Sequence, residues 1–276
     1  MIKISASIVL YNNPIEDIKM CLESLELTKI SRIFIIDNSP TNNLKQSFFD
    51  REKIEYLHNP GNPGYGAAHN IGIKKSIELG FDYHLVINAD VYFKRDIISK
   101  IIRYMEDNQN VGALMPKVIY PTGQAQELCK YIPTPYDLIA RRFMPKFLKD
   151  RNEFKFTMMD YDRTKILHVP YLSGCFLLFR NTVLLDVGFF DERFFMYPED
   201  IDLSRRIAER YQTIYYPEVT AIHRHEQASK KSFIMLIIHL INMFKYFNKW
   251  GWILDSKKNQ INVEVKKKNS RYKITI

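Results

Sequence analysis

Three short stretches of this chain place titratable groups where an apolar run would otherwise continue. Val86-Ile87-Asn88-Ala89-Asp90 ends a hydrophobic segment on a carboxylate. Phe194-Phe195-Met196-Tyr197-Pro198-Glu199-Asp200-Ile201-Asp202 sets acids directly after aromatics, and His223-Arg224-His225 follows a further apolar run. Carboxylate, carboxylate and imidazole at the ends of separate elements suit group transfer assisted by a metal and a base. A hard divalent cation takes carboxylate oxygen and shares itself with substrate phosphates, which fits Asp90; an Asp at a strand end also serves as a plain cap. Pro198 suits a first helical position, and acids in a first turn are favoured by the helix dipole. The dipole does not explain the four bulky residues ahead of them, whose walls would partly desolvate a carboxylate and raise its basicity. Asp202 is expected to cap the helix or to pair with Arg205 or Arg206. His223 and His225 share a face if the chain stays extended, though a strand-end histidine is more often structural. Ser229, Lys230 and Lys231 add hydroxyl and cationic groups suited to a diphosphate.

The elements that must hold these groups alternate. Residues 2–10 read as a strand, 14–27 as a helix with an apolar stripe, 32–36 as a strand running into Asp37, and 54–57 as another strand. Residues 67–79 form a helix stopped by Gly80, 84–87 a strand reaching Asp90, 96–105 a helix and 112–119 a strand. Such alternation implies an α/β fold with a mostly parallel sheet flanked by helices, whose ligands bind beyond the carboxyl ends of the strands. Asn12, Asp37 and Asp90 all fall at those ends. Residues 124–165 lose the pattern and are too long for an ordinary loop, so a lid or helical insertion is expected there. Regularity returns at 166–179, where Ser173-Gly174 opens a strand, then in a helix over 194–210 and a strand over 213–223. The glycine-rich turn from Gly61 to Asn70 offers helix-terminal amides to an anion, yet it is neither a P-loop nor a dinucleotide fingerprint. A plain turn explains it equally well.

With 46% hydrophobic and 26% charged residues among 276, the composition is that of a globular protein with one core and additions. Cys21, Cys129 and Cys175 show no metal-ligand spacing, which points to a reducing compartment. No basic-then-apolar leader opens the sequence, and no run nears the roughly 20 apolar residues needed to span a bilayer. The expectation is a cytoplasmic protein. Residues 230–276 hold 11 Lys or Arg against 2 Asp or Glu, which accounts for the whole formal charge of +9. The body before them is balanced, so the charge does not argue for nucleic acid. Residues 233–276, an apolar helix and a basic tail with Trp250 and Trp252, either meet an anionic membrane surface or are simply solvated.

In order and spacing these pieces resemble the inverting family 2 glycosyltransferases of GT-A fold, especially bacterial rhamnosyltransferase-like members of O-antigen or capsule assembly. The resemblance covers residues 2–232. It rests on Val9-Leu10-Tyr11-Asn12, Ile36-Asp37-Asn38-Ser39, Asn62-Pro63-Gly64-Tyr65-Gly66 with Asn70, Asn88-Ala89-Asp90, Ser173-Gly174, the run from Gly188 to Asp202, and His223 through Ser229. By that resemblance Asp37 binds the donor's base or ribose, and Tyr11 and Asn12 line the nucleotide pocket. Asn62, Gly64, Asn70, Asn88 and Gly174 lie on the donor side. Asp90 matches the last acid of the family's D-x-D metal motif; its first acid is Asn88 here, which leaves one carboxylate for the metal. Asp200 matches the catalytic base, with Glu199 the second candidate. His223 matches the metal-contacting histidine better than His225.

The resemblance implies transfer of a sugar from a dTDP- or UDP-linked donor to a hydroxyl of a lipid-linked saccharide, with inversion and with Mg²⁺ or Mn²⁺, at the inner face of the cytoplasmic membrane. Residues 124–165 would form the variable acceptor side, and self-association stays open. Two rivals remain: a sugar-1-phosphate nucleotidyltransferase, which commonly carries a basic glycine-rich first loop where this chain has Tyr11-Asn12-Asn13-Pro14, and a carbohydrate-binding protein without catalysis.

Overall fold

A computed structural model describes residues 2–48, 52–138, 153–224 and 233–274. Strands β1 (Ile4–Leu10), β2 (Arg32–Asp37) and β4 (Tyr83–Ile87) are buried almost without interruption, as strands covered on both faces must be. With β3 (Ile54–His58) they form a parallel block in the order β3-β2-β1-β4, crossed by α1 (Ile15–Glu26) and α2 (Tyr65–Glu78). Beyond β4 the sheet becomes mixed. It adds β5 (Val91–Tyr92), β6 (Val111–Ile119), β7 (Leu167–His168), β8 (Phe176–Arg180) and β9 (Gln212–His223), and β8 enters antiparallel between β4 and β6. β9 runs parallel to β6, and the short β5 pairs antiparallel with its end.

This topology decides where the chemistry falls. Because β8 is reversed, its amino end shares an edge with the carboxyl ends of β1, β2, β4, β6 and β9. Leu10 pairs with Asp37, Ile87 with Phe176, Val91 with His223 and Ile119 with Ile222. Asn12, Asp37, Asn88, Gly174 and His223 are thereby set along one edge by backbone pairing alone.

Alternation along the strands fills a core on each face. Leu85, Ile87, Phe176 and Leu178 turn toward α1 and α3 (Ile98–Asp107), whereas Val86, Leu177 and Phe179 turn toward Ile73, Leu203 and Ile207. Residues Leu203 and Ile207 belong to α5 (Pro198–Ala208), which follows α4 (Asn181–Val187).

The strand expected over 166–179 is divided into β7 and β8, with Ser173 and Gly174 in the loop between them. Within 124–165, Pro135–Leu138 forms a helical turn and Tyr131, Phe156 and Tyr161 are buried; residues 139–152 lie outside the described ones. The basic tail is helical and docked. α6 (Phe233–Trp250) is followed by α7 (Ser256–Lys268), whose Ile261 and Val265 join the core around Leu167 and Tyr215. The Asn262 side chain donates to the Ile132 carbonyl and accepts from its N–H, and Asn269 does the same for His168. Arg205, almost fully buried, donates from both terminal nitrogens to the Asp255 carboxylate at 2.6 Å each. Some of this segment's apolar residues, Met243, Tyr246, Phe247, Ile261 and Val265, are buried against the body.

Candidate active site

At the carboxyl end of β4 the Asn88 N–H donates to the Cys175 carbonyl at 3.0 Å, joining the Asn88–Asp90 turn to the start of β8. The Arg224 N–H donates to the Asp90 carbonyl at 3.1 Å, joining it also to the end of β9. These backbone ties bring His223 Nε2 to 3.3 Å from Asp90 Oδ1. Gln126, in the segment after β6, donates its amide to the His223 carbonyl and accepts at 3.0 Å from Nδ1. With the proton on Nδ1 directed at Gln126, Nε2 is the nitrogen turned toward the carboxylate.

A neutral imidazole in that tautomer faces Asp90 lone pair to lone pair, so the gap calls for a positive charge. Burial alone would push His223 down, but the Asp90 carboxylate and the neighbouring Cys175 outweigh it and hold the imidazole up at about 10. A divalent cation satisfies the same gap, and Gln126 is the kind of outer partner that orients a ligating histidine. The donor set fits such an ion with two side chains, Asp90 and His223; among the described residues no third His, Cys, Asp or Glu joins them. The Asn88 amide nitrogen lies 3.5 Å from His223 Nε2.

The second half of the site starts at α5. Tyr197 precedes it with φ of 93°, a strained conformation for a bulky residue, and Pro198 opens the helix. Packing holds that strain. The Tyr197 ring stands edge-on to His239 of α6 at 4.8 Å, and Asn242 donates to the Met196 carbonyl at 3.0 Å. The turn sets Asp200 against the loop before β8, where Oδ2 accepts from the Gly174 N–H at 3.0 Å. Burial raises Asp200, the Gly174 amide and the Lys130 charge pull it back, and it comes to rest at about 6. Burial and the Asp200 charge push Glu199 well above the usual carboxylate range, and its Oε2 is buried without a hydrogen-bond partner. Lys130 lies over the Tyr171 ring at 5.2 Å beside this pair. Asp202 is fully buried and structural: it accepts from Arg206, Lys249 and Trp250, clamping α6 onto α5.

Tyr65 connects the halves. Its hydroxyl lies 2.8 Å from both Asn88 Oδ1 and the Gly174 carbonyl, and burial first, then the neighbouring Cys175, Glu199, Asp200 and Asp90, hold its pKa well above the usual phenol range. Its N–H donates to the Phe195 carbonyl at 2.9 Å. Gly64 permits that approach: its φ is 104°, and a Cβ there would lie 2.3 Å from the Phe195 oxygen.

Farther along the edge, the Asn12 N–H donates to Ser39 Oγ, and the Asn38 amide donates to Asn62 Oδ1. Tyr11, Asn12, Asp37 and Asn62 are therefore brought together, with Tyr11 exposed. Asp37 is fully buried, and its oxygens accept from the Ser39 N–H and the Tyr56 hydroxyl, so here it shapes the turn beneath the pocket. Asn70 faces away from the edge: its amide donates to the Phe190 carbonyl and Glu192 and accepts from the Phe190 N–H, holding the loop before α5. His225 lies outside the described residues. Sequence reasoning missed Gln126, Lys130 and Tyr171, which sit in irregular segments without a motif, and it treated Tyr65 only as part of a turn.

The α/β sheet sets its candidate groups along the edge where open α/β sheets bind ligands. The model for glycosyl transferase family 2 matches residues 5–188, and the chain belongs to that family. It is a glycosyltransferase. The match ends before Asp200 and His223. The chain is 27% identical over 216 residues to an N-acetylglucosaminyl-diphospho-decaprenol L-rhamnosyltransferase of Mycobacterium tuberculosis, covering 72% of this chain and 68% of that one. It is 27% identical over 247 residues to the rhamnosyltransferase WbbL of Escherichia coli, covering 87% and 91%. Among solved structures, the mannosyltransferase PcManGT of Pyrobaculum calidifontis in complex with GDP-Man and Mn²⁺ superposes with a TM-score of 0.63 at 14% identity, over 96% of this chain and 69% of that one. This likeness supports the GT-A fold.

Proposed function

We propose that the protein moves a sugar from a nucleotide diphosphate donor to a hydroxyl of a lipid-linked saccharide, with inversion, in surface polysaccharide synthesis. The observation that carries this reading is that the Tyr65 hydroxyl joins Asn88, beside the Asp90 and His223 pair, to Gly174, whose N–H holds the Asp200 carboxylate. A Mg²⁺ or Mn²⁺ ion held by Asp90 and His223 would neutralise charge on the departing diphosphate.

In the transfer, the acceptor oxygen forms a bond to the anomeric carbon as the bond to the diphosphate oxygen breaks. The electron pair leaves with the nucleoside diphosphate, and the acceptor proton passes to Asp200. Attack from the face opposite the leaving group inverts the centre. Gly174 holds the Asp200 carboxylate from one side and Lys130 biases it electrostatically. Asn12, Asn62 and Tyr11 supply the nucleotide end, and the buried Asp37 turn shapes it.

The names of the bacterial relatives make rhamnose the first donor sugar to test, on thymidine or uridine diphosphate, and the decaprenol-linked substrate of one of them favours a lipid-linked acceptor at the cytoplasmic membrane face. The experiment is a panel of nucleotide sugars incubated with Mn²⁺ and a lipid-diphosphate saccharide. Release of free nucleoside diphosphate with a lengthened acceptor supports transfer. Release of pyrophosphate would instead assign a nucleotidyltransferase, and glycan binding without donor consumption a binding protein.

A further inference from the structure

On α6 the positions divide sharply by angle. Asn242, Met243, Tyr246 and Phe247 face inward, the last three packing with Phe194 and Ile201 of the catalytic approach. Ile234, Ile237, Ile241 and Phe244 are exposed and recur at three- and four-residue steps, which places them in one stripe on the opposite face. The stripe continues past the end of the helix. The Trp252 ring stacks against Phe244 and Phe247 at 5.0 and 5.3 Å, and the next two residues, Ile253 and Leu254, are 89% and 92% exposed. Lys257 and Lys258 follow after Asp255 and Ser256, Lys257 lying 3.6 Å from Glu209, and the segment from 230 onward holds the protein's entire excess of positive charge.

We propose that this stripe and the turn at 252–254 are a seat for an anionic lipid bilayer surface. Apolar side chains in a row with lysines beside them match the boundary between acyl chains and acidic headgroups. Concentrated like charge disfavours a second copy of this chain as the occupant, because two seats would bring their lysines together. No helix among the described residues is long and apolar enough to cross a membrane, so the contact is with the surface. The seat lies one helix from the base: α6 touches Tyr197 through His239 and Met196 through Asn242, immediately before Pro198-Glu199-Asp200. The proposal rests on the reading of a lipid-linked acceptor only for its purpose, which is to set Asp200 close to the interface where such an acceptor lies.

The test is vesicle flotation of the full chain, without donor or acceptor, on phosphatidylcholine alone and on phosphatidylcholine mixed with phosphatidylglycerol. The expected result is binding to the anionic vesicles, weakened by salt, and reduced at least tenfold in the double variant Ile253→Asp, Leu254→Asp. Both side chains are exposed, so the melting temperature of that variant should equal the wild type's. Lys257→Glu with Lys258→Glu should lower anionic binding without changing behaviour on neutral vesicles. Absence of wild-type binding, or equal binding by the Ile253/Leu254 variant, overturns the seat. So does a dimer in light scattering that Ile241→Asp with Phe244→Asp converts to monomer. Vesicle binding combined with failure to transfer sugar would count against the enzymatic reading and leave the seat standing.

Discussion

The Tyr65 hydroxyl donates to Asn88 Oδ1 at 2.8 Å while also lying 2.8 Å from the Gly174 carbonyl, so one side chain spans from the turn that carries Asp90 to the loop that holds Asp200. Removing it in Tyr65→Phe takes away a donor shared by two part-buried acceptors. The expected loss of stability is about 1–2 kcal/mol, measurable by denaturant unfolding. Activity should fall further than that, by roughly ten- to a hundredfold in kcat/KM, because the two halves lose their mutual register. A variant with wild-type kinetics would show that the halves are held apart from Tyr65.

The acid limb of the rate profile follows from Asp200. A base must be ionised to accept a proton, and Asp200 is raised to about 6, so the rate should fall tenfold per pH unit below that value and level off above it. Replacing the acid partner tests the assignment. Burial and then the Asp200 charge push Glu199 well up, which favours its neutral form, so Glu199→Gln, a neutral isostere, should keep activity within a few-fold of wild type. The stability sign is opposite to that of an ion-paired carboxylate. A folded-state value above the unfolded one gives a contribution that is full below the unfolded value near 4 and lost as pH rises through the folded one. Melting temperature should therefore gain at high pH in Glu199→Gln relative to wild type.

The metal reading makes Gln126 measurable. Gln126→Ala removes the acceptor of the His223 Nδ1 proton, and the affinity for Mn²⁺, followed by the metal dependence of donor binding, should fall by about 10- to 100-fold. Unchanged Mn²⁺ affinity would mean that His223 is not oriented through Gln126.

Attachment of the C-terminal helices is tested at Asp255. Asp255→Ala strands the buried Arg205 guanidinium, which lies 3.9 Å from the Trp250 ring, and should destabilise the protein by about 3–5 kcal/mol in chemical unfolding. A change within 1 kcal/mol would show that the pair is solvated and that α7 is held by Ile261, Val265 and the Asn262 and Asn269 hydrogen bonds without it.

The strand-and-helix alternation from Ile4 to Asp107 was legible because each strand is a short apolar run ended by a turn residue. So was the edge that collects Asn12, Asp37 and Asp90. The reversal of β8 was not legible: periodicity gives a strand no direction, and the antiparallel insertion depends on long-range pairing of Ile87 with Phe176. The acids at 199 and 200 stood out by their aromatic approach, but the strained Tyr197 that aims them is visible only in three dimensions. Asn70 has a structural task that its sequence context does not announce. It lies in a glycine-rich helix entry that suits an anion, yet the α2 surface turns its amide toward the Phe190 loop. The sequence of the basic tail left membrane contact and solvation both open; docking by Ile261 and Val265, four apart on a helix, depends on a distant core around Leu167 that no local pattern shows.

The central claim, a base at Asp200 opposite a cation-bound diphosphate, is tested most directly in Asp200→Asn by measuring donor binding calorimetrically with Mn²⁺ alongside single-turnover transfer to acceptor. The account predicts donor affinity within a few-fold of wild type and a transfer rate lower by about 10³-fold or more. Transfer at a wild-type rate, or loss of donor binding equal to the loss of rate, would contradict it.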